Sequence, residues 1–219
     1  MDGVIALMLS QMVIKVVGLV YKIYITNKQG FGDKGNAIYG GGFQIYTLFL
    51  TISSIGVPNA ISKLVSEKVS IGDNRGAYRI LKIALALFGF FGFLCSSIMF
   101  LQAKYIAINY LQIPEAEIVL MTLAPSVFIV SIASVLKGYF NGRENLKITA
   151  NSQSLEQIFK TIFTILIVEY IALISNNNTI FMTGGATIAT TIATLRKYVV
   201  FVHVFKKKKR KCVARNSIF

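Results

Sequence analysis

Ionisable side chains stand inside long apolar stretches of this chain, where each requires a partner or access to water. Four have types and spacings that could handle a charged ligand: Lys15, Lys22, Lys63 and Glu156. Lys15 and Lys22 are seven residues apart, close to two helical turns, so both project from one helical face. A charge at membrane depth costs about 2.5–3.5 kcal/mol on insertion scales and usually faces protein or water. This lysine stripe therefore predicts an anion-attracting wall of a polar cavity.

A second interpretation of the lysines needs no cavity. Their long stems could carry the ammonium groups to the lipid headgroups, Lys22 toward the outer surface. Lys63 lies near the predicted inner surface, one turn before Glu67. It either forms an interfacial ion pair with Glu67 or guards the inner mouth of the cavity. The residues alone leave these alternatives open.

The stretch NSQSLEQIFK, residues 151–160, is unusually polar for the start of an apolar helix. Glu156 precedes Lys160 by four residues, the favourable order for a pair within one helix. This pattern predicts contact with water or a polar ligand, unless the spanning segment begins later in the chain. Glu169, near the outer end of the same segment, could carry a proton or simply reach the interface.

The chain contains no arrangement of residues suited to covalent catalysis. Cys95, in an apolar run, and Cys212, in a basic tail, cannot form a disulfide framework. His203 is the single histidine. No nucleophile–base pairing, glycine-rich phosphate loop or metal-ligand spacing is present. The sequence therefore predicts a protein that is not an enzyme and that needs no metal or cofactor.

The elements that must position the four residues are membrane-spanning helices. Hydrophobic residues make up 54% of the chain, and residues 35–62 include no charged side chain. Because a bilayer core is crossed by roughly 20 apolar helical residues, we predict an all-α membrane protein with a six-helix transmembrane bundle. Pro58 and Pro125 lie within apolar runs and predict bends. The predicted spans are residues 4–25, 39–61, 80–102, 118–139, 154–174 and 184–205.

The net charge of +14 is distributed unevenly over the predicted loops. With the N-terminus inside, eighteen Lys and Arg residues fall on the inner side and four on the outer side. The positive-inside rule then predicts a multi-pass protein of the cell membrane with both termini cytoplasmic. Residues 1–205 form the predicted six-span lobe, and residues 206–219 a basic cytoplasmic tail that attracts anionic lipids. Aromatic and basic residues do not interleave, so nucleic acid is not an expected partner.

Three separate segments also have a familiar pattern: GFGDKGNAIYGGGFQIYTLFLTISSIGVPNAISKLVSEK, GDNRGAYRI and LKGYFNGRENLKITANSQSLEQIFK. Together they resemble the stage V sporulation protein B family of polysaccharide exporters. That family belongs to the multidrug/oligosaccharidyl-lipid/polysaccharide (MOP) flippase superfamily. The similarity runs from about residue 11 to residue 206 and covers only the N-terminal lobe of such proteins.

The resemblance implies a function for the candidate residues. Family members have two helical lobes around a central cavity and move lipid-linked sugar pyrophosphates by alternating access. It implies that Lys15, Lys22 and Lys63 occupy positions where relatives carry basic cavity residues, and that Glu156 matches a family glutamate. Lysine is a point charge, so it does not offer the two-pronged pyrophosphate contact of arginine.

Several questions follow from the length of the chain. A truncated or frameshifted gene is the leading expectation, and assembly with a missing C-terminal lobe or as a homodimer is permitted by the topology. One alternative function is half of an antiporter of cationic drugs that relies on Glu156 or Glu169. Another is a non-functional membrane remnant anchored by its basic tail.

Overall fold

The structure, a computed structural model, describes residues 2–28, 30–175 and 178–216. Some side chains before Met8 and all those after Val202 are excepted. Within these ranges the regular elements are helical, and they include a single π-helical turn at Ile106–Tyr110. The α-helices are α1 Asp2–Thr26, α2 Gly32–Ser54, α3 Val57–Ser70, α4 Asn74–Leu101, α5 Ala103–Tyr105, α6 Ala116–Gly142, α7 Leu146–Ile174 and α8 Thr179–Asn216.

Five helical stretches of the described residues are long and apolar enough to cross a membrane. They confirm the prediction of an all-α, multi-pass membrane protein. The spans are Met8–Thr26, Gly32–Ser70, Asn74–Leu101, Ala116–Gly142 and Leu146–Ile174.

The sixth predicted span, residues 184–205, falls within α8. This helix continues without interruption from Thr179 to Asn216, so its backbone does not end at the predicted boundary at residue 205. The side chains of His203, Cys212 and the basic run 206–211 lie outside the described part of the chain. The separation into lobe and tail stays a prediction.

The second predicted span, residues 39–61, is divided between two helices. α2 ends at Ser54, and Gly56 adopts a left-handed conformation with φ of 87° before α3 begins at Val57. Pro58 lies in the first turn of α3, where a missing backbone N–H breaks no helical hydrogen bond. The bend predicted at Pro58 is therefore a helix interruption two residues earlier. Pro125, in contrast, remains inside α6.

The helix that contains the fifth predicted span begins before residue 154. α7 starts at Leu146, so the polar residues 151–160 all lie within the helix. The alternative of a spanning segment that begins after these residues stays open, because a helix can extend beyond the membrane. Several polar side chains in this part of α7 contact other helices: Gln153 and Ser154 contact α1, and Glu156 contacts α8.

α6 occupies the centre of the bundle. It packs against α2, α3, α4 and α8, while α7 packs on α8 and α1 packs on the far side of α7. The approach of α3 to α6 is very close, because Gly138 and Gly142 are four residues apart on one face. A Cβ atom at Gly138 would lie 2.8 Å from the carbonyl oxygen of Pro58, and one at Gly142 would lie 2.6 Å from that of Ser62.

The glycine triplet of α2, Gly40–Gly42, also allows close helix packing, at Gly42. A Cβ atom at Gly42 would overlap the side chain of Val119 on α6, whereas one at Gly40 would meet no atom within 4 Å. α2 is continuous through the triplet. Close helix approach, and not a loosened helix start, is therefore the reason for glycine at position 42.

Two ion pairs tie elements together at the predicted outer end. Lys28 Nζ lies 2.5 Å from Glu169 Oε2, and Lys34 Nζ lies 3.1 Å from Glu115 Oε1. A backbone hydrogen bond at Glu115 and the nearby Lys34 ammonium group together lower the pKa of the Glu115 carboxyl. Glu169 also accepts a hydrogen bond from Tyr24, so the end of α1 is fixed to α7.

Candidate functional site

Charged side chains converge where α6, α7 and α8 meet. Lys197 Nζ on α8 lies 2.8 Å from Glu156 Oε2 on α7, and these side chains are only 13% and 22% exposed. Lys137 on α6 is partly buried and interacts electrostatically with both of them. Lys160 lies one turn beyond Glu156 on α7. We call Lys137, Lys160 and Lys197 the lysine cluster, with Glu156 as its carboxylate.

Lys160 is held by aromatic rings. Its Nζ lies 4.9 Å from the ring centroid of Phe43 on α2 and 5.7 Å from that of Tyr21 on α1. The negative faces of aromatic rings attract an ammonium group in this geometry. Among the described residues, Glu156 pairs with Lys197 and not with Lys160. The predicted pair within α7 is therefore wrong, because two rings and a neighbouring helix compete with the local contact.

Lys15 and Lys22 belong to a polar stripe on α1. Gln11, Lys15, Gly18 and Lys22 recur at intervals of three or four residues and so share one helical face. We call these four residues the α1 stripe. The opposite arc of α1 exposes large apolar side chains, as expected for a surface in contact with lipid: Met12, Val16, Leu19, Val20 and Ile23.

The α1 stripe borders the seam between α1 and α7. Gln11 Nε2 donates a hydrogen bond to Gln153 Oε1 at 2.9 Å. A Cβ atom at Gly18 would lie 3.4 Å from Gln157 Nε2. The exposed ammonium groups of Lys15 and Lys22 thus project from the side of α1 that adjoins the polar residues of α7.

The packing of the helices indicates a groove between α1 and α2, where Lys160 of α7 contacts Tyr21 of α1 and Phe43 of α2. α1 packs on α7 and α2 packs mainly on α6, and the two helices scarcely touch each other. The hydroxyls of Tyr21 and Tyr39 are 3.1 Å apart, and Thr26 donates a hydrogen bond to Asn36. Both contacts lie toward the predicted outer end of α1, so α1 and α2 meet at that end.

α2 also carries exposed polar residues that are uncharged. Gln44, Thr47 and Thr51 are exposed at helical spacing on α2. The two threonine hydroxyls donate to the carbonyl oxygens one turn before them, which satisfies them without another partner.

Lys63 stands apart from this arrangement. It is exposed on α3, on the face opposite the buried row of Val57, Ile61 and Val65. The described side chains of Lys63 and Glu67 form no ion pair, so the interfacial pair considered from the sequence is wrong. The predicted role of Lys63 in binding stays a prediction, as do the roles of Lys15 and Lys22.

Two members of the lysine cluster, Lys137 and Lys197, were not predicted from the sequence as binding residues. Lys137, near the end of the predicted span 118–139, and Lys197, assigned to the basic C-terminal part of the chain, were counted only as basic residues of the inner side. A local signal does exist: each interrupts an apolar run, in SVLKGYF and TLRKYVVFV. Arg196, next to Lys197, lies over the ring of Phe159, so it faces a different part of α7.

The described residues provide no group of three His, Cys, Asp or Glu side chains that could hold a metal ion. The polar groups near the groove are ammonium groups, amides, hydroxyls and the Glu156 carboxylate. The ammonium, amide and hydroxyl groups can bind a phosphate or carboxylate reversibly.

Comparisons with known proteins agree with this membrane architecture. Residues 1–219 match the family described as Polysaccharide biosynthesis protein. Lipid II flippase MurJ of Bacillus subtilis (strain 168) is 30% identical over 220 residues, which cover 97% of this chain and 40% of that protein. Stage V sporulation protein B of the same organism is 28% identical over 216 residues, covering 95% and 39%.

A third relative is the Uncharacterized membrane protein YabM of Bacillus subtilis (strain 168), 27% identical over 162 residues, or 73% of this chain and 29% of that protein. No solved structure matches the chain significantly. The chain spans about two fifths of the length of the first two relatives, at 40% and 39%. With the family match extending over residues 1–219, the chain belongs to the polysaccharide biosynthesis protein family.

Proposed function

We propose that this chain forms the N-terminal lobe of a flippase that moves a lipid-linked oligosaccharide or peptidoglycan precursor across the cytoplasmic membrane. One observation supports this proposal above others: the Lys197–Glu156 ion pair joins α7 to α8, and Lys160, one turn along α7, lies between aromatic rings of α1 and α2. The family and the names of two relatives, a lipid II flippase and a stage V sporulation protein, point the same way. The chain acts as part of a transporter and not as an enzyme.

The charge of the site suits a pyrophosphate. The lysine cluster and Glu156 together carry two more positive than negative charges. Each phosphate of a lipid-linked sugar diphosphate contributes roughly one negative charge, as a phosphodiester does. Because charges interact strongly where they are partly buried, the diphosphate balances this excess. The polyprenyl tail then lies along the lipid-facing side and the sugar in the polar groove.

Lys15 and Lys22 extend the positive surface along the α1 wall. In this proposal they attract the diphosphate and guide it toward the lysine cluster, and Lys63 contributes positive charge near the inner mouth. All three are compact ammonium groups, so they bind phosphate oxygens without fixing one orientation. Such weakly oriented contacts suit a diphosphate that must be released after it binds.

In this proposal the groove is closed at the end where Tyr21 meets Tyr39. With both termini in the cytoplasm, as the charge distribution predicts, this closed end is the outer end. The lobe is then in an inward-facing arrangement that accepts cargo from the cytoplasmic leaflet. A second lobe, from another segment or from a second copy of this chain, would complete the wall opposite the groove.

The rival proposal of a cationic-drug antiporter requires a carboxylate that is free to bind a cation. Glu156 is paired with Lys197, and Glu169 is paired with Lys28. Both glutamates are thus already neutralised by ammonium groups. This arrangement favours an anionic cargo.

Binding of a polyprenyl diphosphate to the purified chain in lipid nanodiscs tests the proposal. We expect the diphosphate to bind more tightly than the matching polyprenyl monophosphate. Lys160→Gln and Lys197→Gln should each weaken diphosphate binding about tenfold. Lys104→Gln, at the exposed outer end of the bundle, is the matched control and should have no effect. Equal binding of the two lipids, or equal effects of all three substitutions, would contradict the proposal.

A further inference from the structure

We propose that Glu156 is an internal counter-ion that occupies the anion position of the lysine cluster while the groove is empty and is displaced by the cargo. This inference rests on the proposed function and assigns its regulation to one side chain. Glu156 is the one carboxylate among the described residues within ion-pair distance of the lysine cluster.

The lysine cluster would be unfavourable without an anion. Lys137 and Lys197 are both partly buried and lie close enough to repel each other. Repulsion between like charges is strong where little water separates them. Glu156 binds Lys197 directly at 2.8 Å and attracts Lys137 from a greater distance. The Glu156 carboxylate thus offsets the repulsion between the lysines when no cargo is bound.

The cargo and Glu156 compete for the same ammonium group. A diphosphate that binds Lys197 brings negative charge next to the Glu156 carboxylate, so the two anions repel each other. Binding therefore requires Lys197 to exchange Glu156 for a phosphate oxygen. When the diphosphate departs, Glu156 recaptures Lys197 and opposes rebinding.

The proposed role and a merely structural role of Glu156 predict opposite changes in diphosphate affinity when its charge is removed. If Glu156 served only to hold Lys197 in a productive position, removal of its charge would weaken binding of the diphosphate. As a competing anion, Glu156 lowers the affinity, and removal of its charge strengthens binding. A transporter benefits from moderate affinity because its cargo must also be released.

Diphosphate binding to Glu156→Gln, measured in nanodiscs with a polyprenyl diphosphate, separates these roles. We expect about tenfold tighter binding than for the wild type. Glu169→Gln is the matched control, because it removes the other lysine-paired carboxylate of α7, and it should leave the affinity unchanged. In the Lys197→Gln background, Glu156→Gln should have little effect, since the competing pair is already absent.

Weaker or unchanged binding by a folded Glu156→Gln variant would overturn the inference while leaving the proposed function intact. Absence of diphosphate binding by the wild type would instead overturn the proposed function. A second measurement avoids the variant altogether. Infrared difference spectra of the wild type should show a shifted carboxylate stretching band when the diphosphate is added, because Glu156 leaves Lys197. An unchanged band in a sample that binds the diphosphate would overturn the inference.

Discussion

Lys197 on α8 and Glu156 on α7 form a largely buried ion pair with an N–O distance of 2.8 Å. The two residues lie on different helices, so the pair fixes the relative register of α7 and α8. Lys137 interacts electrostatically with both partners, so a change in either one alters the balance of the whole lysine cluster. The pair therefore has a structural consequence as well as the proposed functional one.

We predict that Lys197→Met destabilises the folded chain by about 1–3 kcal/mol, because it leaves the Glu156 carboxylate without its partner. This value is below that for a fully buried pair, since the two side chains are 13% and 22% exposed. The double variant Lys197→Met with Glu156→Gln should recover part of the loss. Unfolding in mixed micelles with increasing denaturing detergent measures these free energies. Strictly additive effects of the two substitutions would show that the residues do not interact.

The contact of α3 with α6 predicts a second effect. Gly142→Ala should destabilise the chain by about 1–3 kcal/mol, because its new methyl group would lie 2.6 Å from the backbone carbonyl oxygen of Ser62. Gly89→Ala is the matched control on α4, since a Cβ atom there would meet nothing within 4 Å. It should be neutral or stabilise the chain by about 0.5–1 kcal/mol. Thermal unfolding of both variants tests the contact, and similar midpoints would argue against it.

The spanning helices could be predicted from the sequence because membrane thickness sets their length directly. The expected span 118–139, for example, lies inside α6, Ala116–Gly142. The interruption at Gly56 was not predicted, since the apolar run continues through it. Its signal is local: a glycine that can adopt positive φ, followed by a proline suited to a first helical turn.

The site was only partly predictable, for a different reason. Glu156 was a candidate because charge is rare within a span, but its true partner, Lys197, comes from a helix much later in the chain. Spacing within one helix predicts contacts only along that helix. The packing of α7 against α8, which brings the two residues together, follows from the fold as a whole. Lys137 joins them for the same reason.

Cysteine labelling tests the predicted orientation in the membrane. In a chain without its native cysteines (Cys95→Ala, Cys212→Ala), we expect Lys104→Cys to react with a membrane-impermeant maleimide in intact cells. Arg75→Cys should react only after permeabilisation, because the positive-inside rule places the α3–α4 connection in the cytoplasm. The reverse pattern would place the closed end of the groove at the cytoplasmic surface. The inward-facing arrangement would then be wrong.

The position of the diphosphate is the central claim, and photo-crosslinking measures it most directly. A polyprenyl diphosphate with a photoreactive group beside its phosphates is bound to the wild-type chain, irradiated and mapped by mass spectrometry. The account predicts adducts on the parts of α7 and α8 around Glu156 and Lys197, reduced by excess unlabelled diphosphate. Adducts confined to the exposed apolar face of α4, around Phe90 and Leu94, would contradict it.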